Sequence, residues 1–269
     1  MNSPLISVFT SSYNSEKYVE ETLESILNQT YQNIEVIIQD GNSNDNTLDI
    51  IKNKFQDSRI KVFSEPDSGS SEGFWKALNK TNGEYIMCMP FSDKYEDLDW
   101  FKKCAEILTN QPSIGLVHGN DIKRYEDLTY GQLRFPEYKN KQMPSENDFL
   151  PYWLATKYHI SELNFCVRRE IFFQCYKEFQ KIKIDKYFQN GKIPYKILSS
   201  YNPFLTFTFH FIKKGYLPYH IPIIATSTLQ HEDRFSNQID NSITQAQRET
   251  HLEKIIEFKN DLFNNLIKY

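Results

Sequence analysis

Several marks that would assign the 269-residue chain to a class at sight are missing. No apolar run approaches the roughly 18 residues a membrane-spanning helix needs, and the opening "MNSPLISVFTSSYN" has no basic flank before a long apolar core. A cytoplasmic protein is therefore expected. Cysteine is scarce, and Cys88, Cys104, Cys166 and Cys175 form no CxxC pair and no zinc-like spacing, so buried reduced thiols are expected. No GxGxxG follows the first apolar run, and GxxxxGK with a following Ser or Thr occurs nowhere, which removes the dinucleotide fold and the P-loop. The absence of a Gly-rich, basic loop after that run also disfavours a nucleotidyltransferase. Positive charge is not in excess, and a net charge of -4 argues against a general nucleic-acid binder. There is no internal repeat and no low-complexity tract.

What is present reads as a globular α/β protein. Charged residues at 25% and hydrophobic residues at 39% are ordinary for a folded chain of this length, which can bury a substantial core. Short β-rich apolar runs, "LISVF" (5–9), "IEVII" (34–38), "IKVF" (60–63), "YIMCM" (85–89) and "IGLVH" (114–118), alternate with helix-period segments. That alternation suits βαβ crossovers and a mostly parallel, doubly wound sheet. Val19, Leu23, Ile26 and Leu27 share one face of the first helical segment, with Asn14 or Ser15 as N-cap. Asp45 is placed to cap a second helix, in which Leu48, Ile51 and Phe55 point one way.

Ligands of such sheets bind beyond the carboxyl ends of the strands, where loops vary and helix N-termini present unpaired N–H groups. Here that edge carries "TSSYN" (10–14), "QDGNSNDNT" (39–47), "SEPDSGSSEG" (64–73) and "PFSDKYED" (90–97), and three of the four hold an aspartate. Beyond residue 118 the period breaks down. Residues 176–220 hold eight lysines against Glu178 and Asp185 alone, with twelve Tyr or Phe among them. From about Thr244 to Tyr269, Leu252, Ile255, Ile256, Leu262 and Leu266 recur near helical spacing.

The string "PLISVFTSSYNSEKYVEETLESILNQTYQNIEVIIQDGNSNDNT" resembles the opening of the family 2 glycosyltransferases, and "SEPDSG", "NGEYI", the "SD" of "PFSDKY" and "FCVRREIF" fit the same family. The likeness is good over residues 4–120 and loose beyond. It implies a GT-A-like fold, with residues 1–120 as the nucleotide-sugar-binding α/β half and 121–269 as an irregular, helix-rich acceptor part of the same domain. It further implies sugar transfer from a nucleotide-sugar donor, by family habit a UDP-sugar, to a glycan or lipid-linked acceptor with inversion, in polysaccharide biosynthesis. In the same alignment Ser11 and Tyr13 match the turn that contacts the nucleobase, Asp40 the aspartate that reads base or ribose, and Asp67 a further donor contact. Singly, Asp40 and Asp67 also suit turn capping.

The family's paired carboxylates after the fourth strand fall on Ser92 and Asp93, so the pair is half present. A diphosphate leaving group calls for Mg2+ or Mn2+, held through one or two carboxylates with water and phosphate completing the shell. Asp93 is the expected ligand, with His231 of "LQHEDRFS" as a second; alternatively Lys94 contacts a phosphate directly. An inverting enzyme also needs a carboxylate base near the acceptor hydroxyl. The stretch where the family carries it, "SSYNPFLTFTFHFIKKGY", has no acid, which leaves Glu162, Asp185 and Glu232, of which Glu162 is favoured. The half-present pair and missing base keep open a non-catalytic nucleotide-sugar-binding protein. The basic aromatic segment 176–220 allows peripheral contact with an anionic inner membrane face, or else a packed helical lid.

Overall fold

Each of the five apolar runs becomes a strand. The computed structural model describes residues 3–133, 164–179, 207–208, 210–211 and 213–231. In chain order these form β1 (Ile6–Ser12), α1 (Val19–Leu27), β2 (Ile34–Asp40), α2 (Thr47–Lys54), β3 (Ile60–Ser64), α3 (Ser70–Asn79) and β4 (Tyr85–Cys88). There follow β5 (Lys94–Tyr95), α4 (Trp100–Asn110), β6 (Ile114–Tyr125), β7 (Tyr130–Leu133), β8 (Phe165–Arg168), α5 (Arg169–Phe179) and β9 (Leu217–Gln230).

One sheet joins all the strands in the order β3-β2-β1-β4-β8-β6-β9-β5, with β7 on β6. β1 runs parallel to β2 and β4, and β2 parallel to β3. β8 is antiparallel to both β4 and β6, so β6 runs in the direction of β1 to β4. Five strands thus share one direction, and their carboxyl ends lie along one edge. β2 is buried at every position, as a strand covered on both faces must be, whereas edge strand β3 is exposed from Lys61 onward.

The helices follow the apolar spacing. α1 buries Val19, Thr22, Leu23 and Ile26, and α4 buries Trp100, Phe101, Cys104, Ala105 and Leu108. Each fully buried aromatic side chain contributes about 2 to 3 kcal/mol of transfer free energy. α2 buries Thr47 and Ile51, with Leu48 and Phe55 half-buried. The four cysteines are buried thiols, as expected.

Two local expectations change. Neither Asn14 nor Ser15 caps α1: the helix begins after Tyr18, and the Ser15 carbonyl accepts the Tyr18 and Val19 amides. Asn14 instead takes a positive φ of 49° and ties two loops together. Past residue 118, where the period faded, β6 continues to Tyr125, and β8 and β9 complete the sheet.

The chain divides into two compact units. The first comprises Met1–Gln142, Ser161–Arg169 and Pro218–Leu229; the second Met143–Ile160, Glu170–Leu217 and Gln230–Tyr269. Within the second, Phe172, Phe207, Phe211 and Tyr216 form a chain of ring contacts 5.0, 5.6 and 5.8 Å apart. The helical tail read at 244–269 and most of 176–220 lie outside the described residues.

Candidate active site

Three of the four polar loops are laced together at the carboxyl edge. The Asn14 amide donates to Ser43 Oγ (2.8 Å), the Asn44 amide to Asn14 Oδ1 (3.0 Å), and the Ser15 amide to Thr47 Oγ1 (2.7 Å). Asp45 stands one residue ahead of the α2 N-cap, Asn46, and steadies the start of the helix from there: its Oδ1 accepts the Thr47 amide at 3.0 Å while its Oδ2 accepts the Glu16 amide at 3.0 Å. Burial tends to raise its carboxyl pKa, but these bonds together hold it below the usual range. The β1 and β2 loops therefore form one rigid rim, on which Tyr13 stands 62% exposed.

Asp40, fully buried at the end of β2, organises the rim from beneath. Its carboxylate accepts the Ser43 amide (2.9 Å), the Ser43 hydroxyl (2.5 Å) and the Ser64 hydroxyl of β3 (2.8 Å). Its contact with a ligand would therefore pass through the loops it holds. Asp67 lies over two glycines. A Cβ on Gly41 would come 2.9 Å from Asp67 Oδ2, and one on Gly73 would come 2.9 Å from both Asp67 Oδ2 and Ser11 Cβ. Ser11, Gly41, Asp67 and Gly73 therefore converge on one spot. The Asp67 turn is set by its own bond to the Gly69 amide (2.9 Å) and by Ser68 donating to Glu72. Those Ser68 bonds, with Lys76 at 3.0 Å, lower the Glu72 pKa to about 2.

The fourth loop follows β4, which flanks β1 on the side away from β2. With strands about 4.8 Å apart, the ends of β2 and β4 are separated by roughly 10 Å, a distance an extended nucleoside diphosphate bridges. Here Ser92 has a φ of 97°, in the left-handed region that costs a non-glycine residue free energy. Thr22 of α1 grips the turn from both sides: its hydroxyl accepts the Ser92 amide (3.3 Å) and donates to the Asp93 carbonyl (2.7 Å). Asp93 is fully buried, and its Oδ1 accepts the Leu229 amide of β9 (3.0 Å). Lys94 points elsewhere, pairing with Glu21 (3.2 Å) and Glu96 (3.6 Å), so its charge is balanced by protein carboxylates rather than held for a phosphate.

Beside this turn, β6 and β9 bury a polar strip. Asp121 accepts hydroxyl bonds from Thr226 (2.8 Å) and Thr228 (2.7 Å). Asn120 bonds the His220 ring (2.9 Å), on which His118 stacks at 4.9 Å. Burial first and the neighbouring His220 second push His118 down to about 3.

Of the residues singled out in the sequence, Ser11, Asp40 and Asp67 share the rim with Tyr13, and Ser92 and Asp93 form the buried turn at the end of β4. His231 is buried directly after β9. Glu162, Asp185 and Glu232 lie outside the described residues. Sequence reading missed Thr22, Gly41, Gly73, Arg124 and Leu229. Thr22 left a signal, a polar residue on the apolar stripe of α1; the Leu229 amide, a backbone group, left none.

A curled, mostly parallel α/β sheet with a laced carboxyl rim defines the GT-A class of nucleotide-binding fold. The chain matches the family model described as glycosyl transferase family 2 over residues 7–215, and it belongs to that family. It is 39% identical over 95 residues, 35% of this chain and 38% of the relative, to a putative teichuronic acid biosynthesis glycosyltransferase, TuaG, of Bacillus subtilis. The chain spans less than half the length of the curated relatives it matches first. Among solved structures, S. aureus TarS 1–349 in complex with UDP-GlcNAc has a TM-score of 0.64 at 15% identity, over 94% of this chain and 66% of that one. The mannosyltransferase PcManGT of Pyrobaculum calidifontis, in complex with GDP-Man and Mn2+, has a TM-score of 0.55 at 14% identity, over 95% and 70%.

Proposed function

We propose that this protein transfers a sugar from a nucleotide-sugar donor, with a UDP-sugar as first choice, to a glycan or lipid-linked acceptor, inverting the anomeric centre. The observation that carries this reading is the convergence of Ser11, Gly41, Asp67 and Gly73 at one point of the rim, in line with Asp93 two strands away. Base and ribose would lie against the β1 and β2 loops and Asp67, with the diphosphate reaching toward Ser92 and Asp93. The TuaG likeness favours a role in polysaccharide biosynthesis.

The residues fit a hard divalent cation held jointly with substrate. Asp93 offers a buried carboxylate, and among the described residues no group of three His, Cys, Asp or Glu side chains stands ready to hold a metal alone. That donor set suits Mn2+ or Mg2+, which bind through one carboxylate when phosphates complete the shell, and Mn2+ accompanies GDP-Man in PcManGT. When bound, the cation would neutralise the diphosphate leaving group. His231 is the candidate second ligand, and Glu162, Asp185 and Glu232 are the candidate bases, Glu162 first. We place the donor half at residues 1–120 and acceptor recognition in 121–269, and for the basic aromatic segment 176–220 we keep both proposals, a helical lid and peripheral contact with anionic lipid on the inner membrane face. Among the described residues no helix is long and apolar enough to cross a membrane.

The test is a thermal-shift and transfer screen of UDP- and GDP-sugars with and without Mn2+, since a ligand bound only to the native state raises its apparent stability. At least one nucleotide sugar should stabilise the chain in a Mn2+-dependent way and be consumed. Asp93→Asn, which keeps an oxygen for the Leu229 amide, should weaken that binding at least about tenfold, the scale of a lost charge-assisted contact. No stabilisation by any donor would defeat the reading. Stabilisation without hydrolysis or transfer would favour a non-catalytic binding protein.

A further inference from the structure

We infer that Arg124 is a positioning residue of the donor site: it clamps Ser92 in its left-handed conformation and thereby aims the Asp93 carboxylate. The inference rests on the donor-site reading above and adds to it a residue that touches neither nucleotide nor cation.

Ser92 at a φ of 97° is a conformation that a side-chain-bearing residue keeps only when its surroundings over-determine it. Glycine would adopt it freely, yet the chain carries serine. The surroundings come from three distant parts of the sequence. Thr22 on α1 holds the Ser92 amide and the Asp93 carbonyl, and the Leu229 amide on β9 holds the Asp93 carboxylate. The Ser92 carbonyl accepts Arg124 Nη2 at 3.4 Å, and the Ser92 hydroxyl lies 3.5 Å from Asp93 Oδ1.

Arg124 is itself fixed. Its side chain is 3% exposed, Nη2 pairs with Glu21 Oε2 at 2.8 Å, and Nε donates to Ser227 Oγ at 3.3 Å. The guanidinium thus joins α1, β6 and β9 around the carbonyl that precedes Asp93. A planar fork with several donors in fixed directions suits this bridging, whereas an ammonium would act as a single flexible point charge. Glu21 keeps Lys94 as a second cationic partner at 3.2 Å, so removing the guanidinium does not isolate a carboxylate. The strip of buried polar groups along β6 and β9 acquires a purpose on this view, because it carries the arginine to the turn.

The experiment measures Mn2+-dependent binding of UDP and of GDP by titration calorimetry, beside the melting temperature, for the unaltered chain, Arg124→Lys, Arg124→Met, Ser92→Gly alone, and each Arg124 variant combined with Ser92→Gly. Arg124→Lys is the fold-preserving variant, since it keeps a cation beside Glu21. Both single Arg124 variants should bind nucleotide roughly ten- to a hundredfold more weakly, the range for a lost hydrogen bond to a charged group. Measured against Ser92→Gly alone, which also removes the 3.5 Å contact of Ser92 Oγ with Asp93 Oδ1, the Arg124 substitutions should cost little further affinity, because glycine takes the same φ without a clamp. A purely structural role for Arg124 would lower the melting temperature and cost as much affinity in the Ser92→Gly background as in the serine one, and that result overturns the inference. Unchanged affinity in Arg124→Lys and Arg124→Met overturns it as well. An unaltered chain that binds neither nucleotide in the presence of Mn2+ overturns the donor-site reading and this inference together, whereas normal binding by it confines any failure to Arg124.

Discussion

Gly73 illustrates how a single atom can decide a binding site. It sits in the first turn of α3 where a methyl group would meet both the Asp67 carboxylate and Ser11 at 2.9 Å. Gly73→Ala should therefore push Asp67 off the rim and strain Ser11 on β1, weakening nucleotide binding about tenfold and costing about 1 to 3 kcal/mol of stability, as calorimetry and urea denaturation would show. An unchanged affinity would remove Asp67 from the donor site. Asp67 was legible in the sequence because an aspartate in "SEPDSG" follows a strand; Gly73 was not, because its need arises only when α3 brings it beneath that side chain. Asp40 shows the opposite. It is where the sequence reading expected it, yet its oxygens face Ser43 and Ser64, which makes it a brace for the rim.

A strand that the sequence pattern left unread, β9, turns out to build the Asp93 end of the site. β9 comes from a region where apolar periodicity fails, because residues 225–229 are buried at every position with polar Thr226, Ser227 and Thr228 consecutive among them. β9 pairs antiparallel with β5, Lys94 opposite Ser227, immediately after the Ser92–Asp93 turn. α1 contributes from its buried face through Thr22. Thr22→Val keeps the shape but removes the hydroxyl that accepts the Ser92 amide and donates to the Asp93 carbonyl. Urea denaturation should show a loss of about 1 to 3 kcal/mol, the cost of stranding buried polar groups, with weaker Mn2+-dependent nucleotide binding. Full stability and full binding together would mean that α1 does not hold the turn.

At the scale of the molecule, buried titratable groups tie stability to pH. An ordinary histidine titrates near 6.5, whereas His118 is pushed down to about 3 in the fold, so the unfolded chain binds the extra proton between those limits. Stability should hold above pH 6.5 and decline as pH falls toward 3, by about 1.4 kcal/mol per unit from this group. Glu35 acts with the same sign at lower pH. Burial raises its pKa, but bonds from Lys61, Ser7 and Asn82 outweigh burial and leave it below the usual 4.5, so its contribution is lost as pH drops through that depressed value. Urea midpoints of His118→Gln should fall less steeply than those of the unaltered chain between pH 6.5 and 4.5, before Glu35 titrates. Identical slopes would show that His118 does not govern this window.

Local pattern alone determined the five co-directional strands, the helix faces, the edge at which a ligand would bind and the aspartates along it, because these follow from side-chain period and from which strand ends face the same way. Only the tertiary structure decided what those aspartates do. Asp40 braces, Asp67 rests on two glycines, and Asp93 is gripped by Thr22 and a backbone amide more than a hundred residues away, with Arg124 on the carbonyl of Ser92 before it. Such partners depend on strand order and on hydrogen bonds between distant segments, and neither leaves a trace in the spacing of residues along the chain.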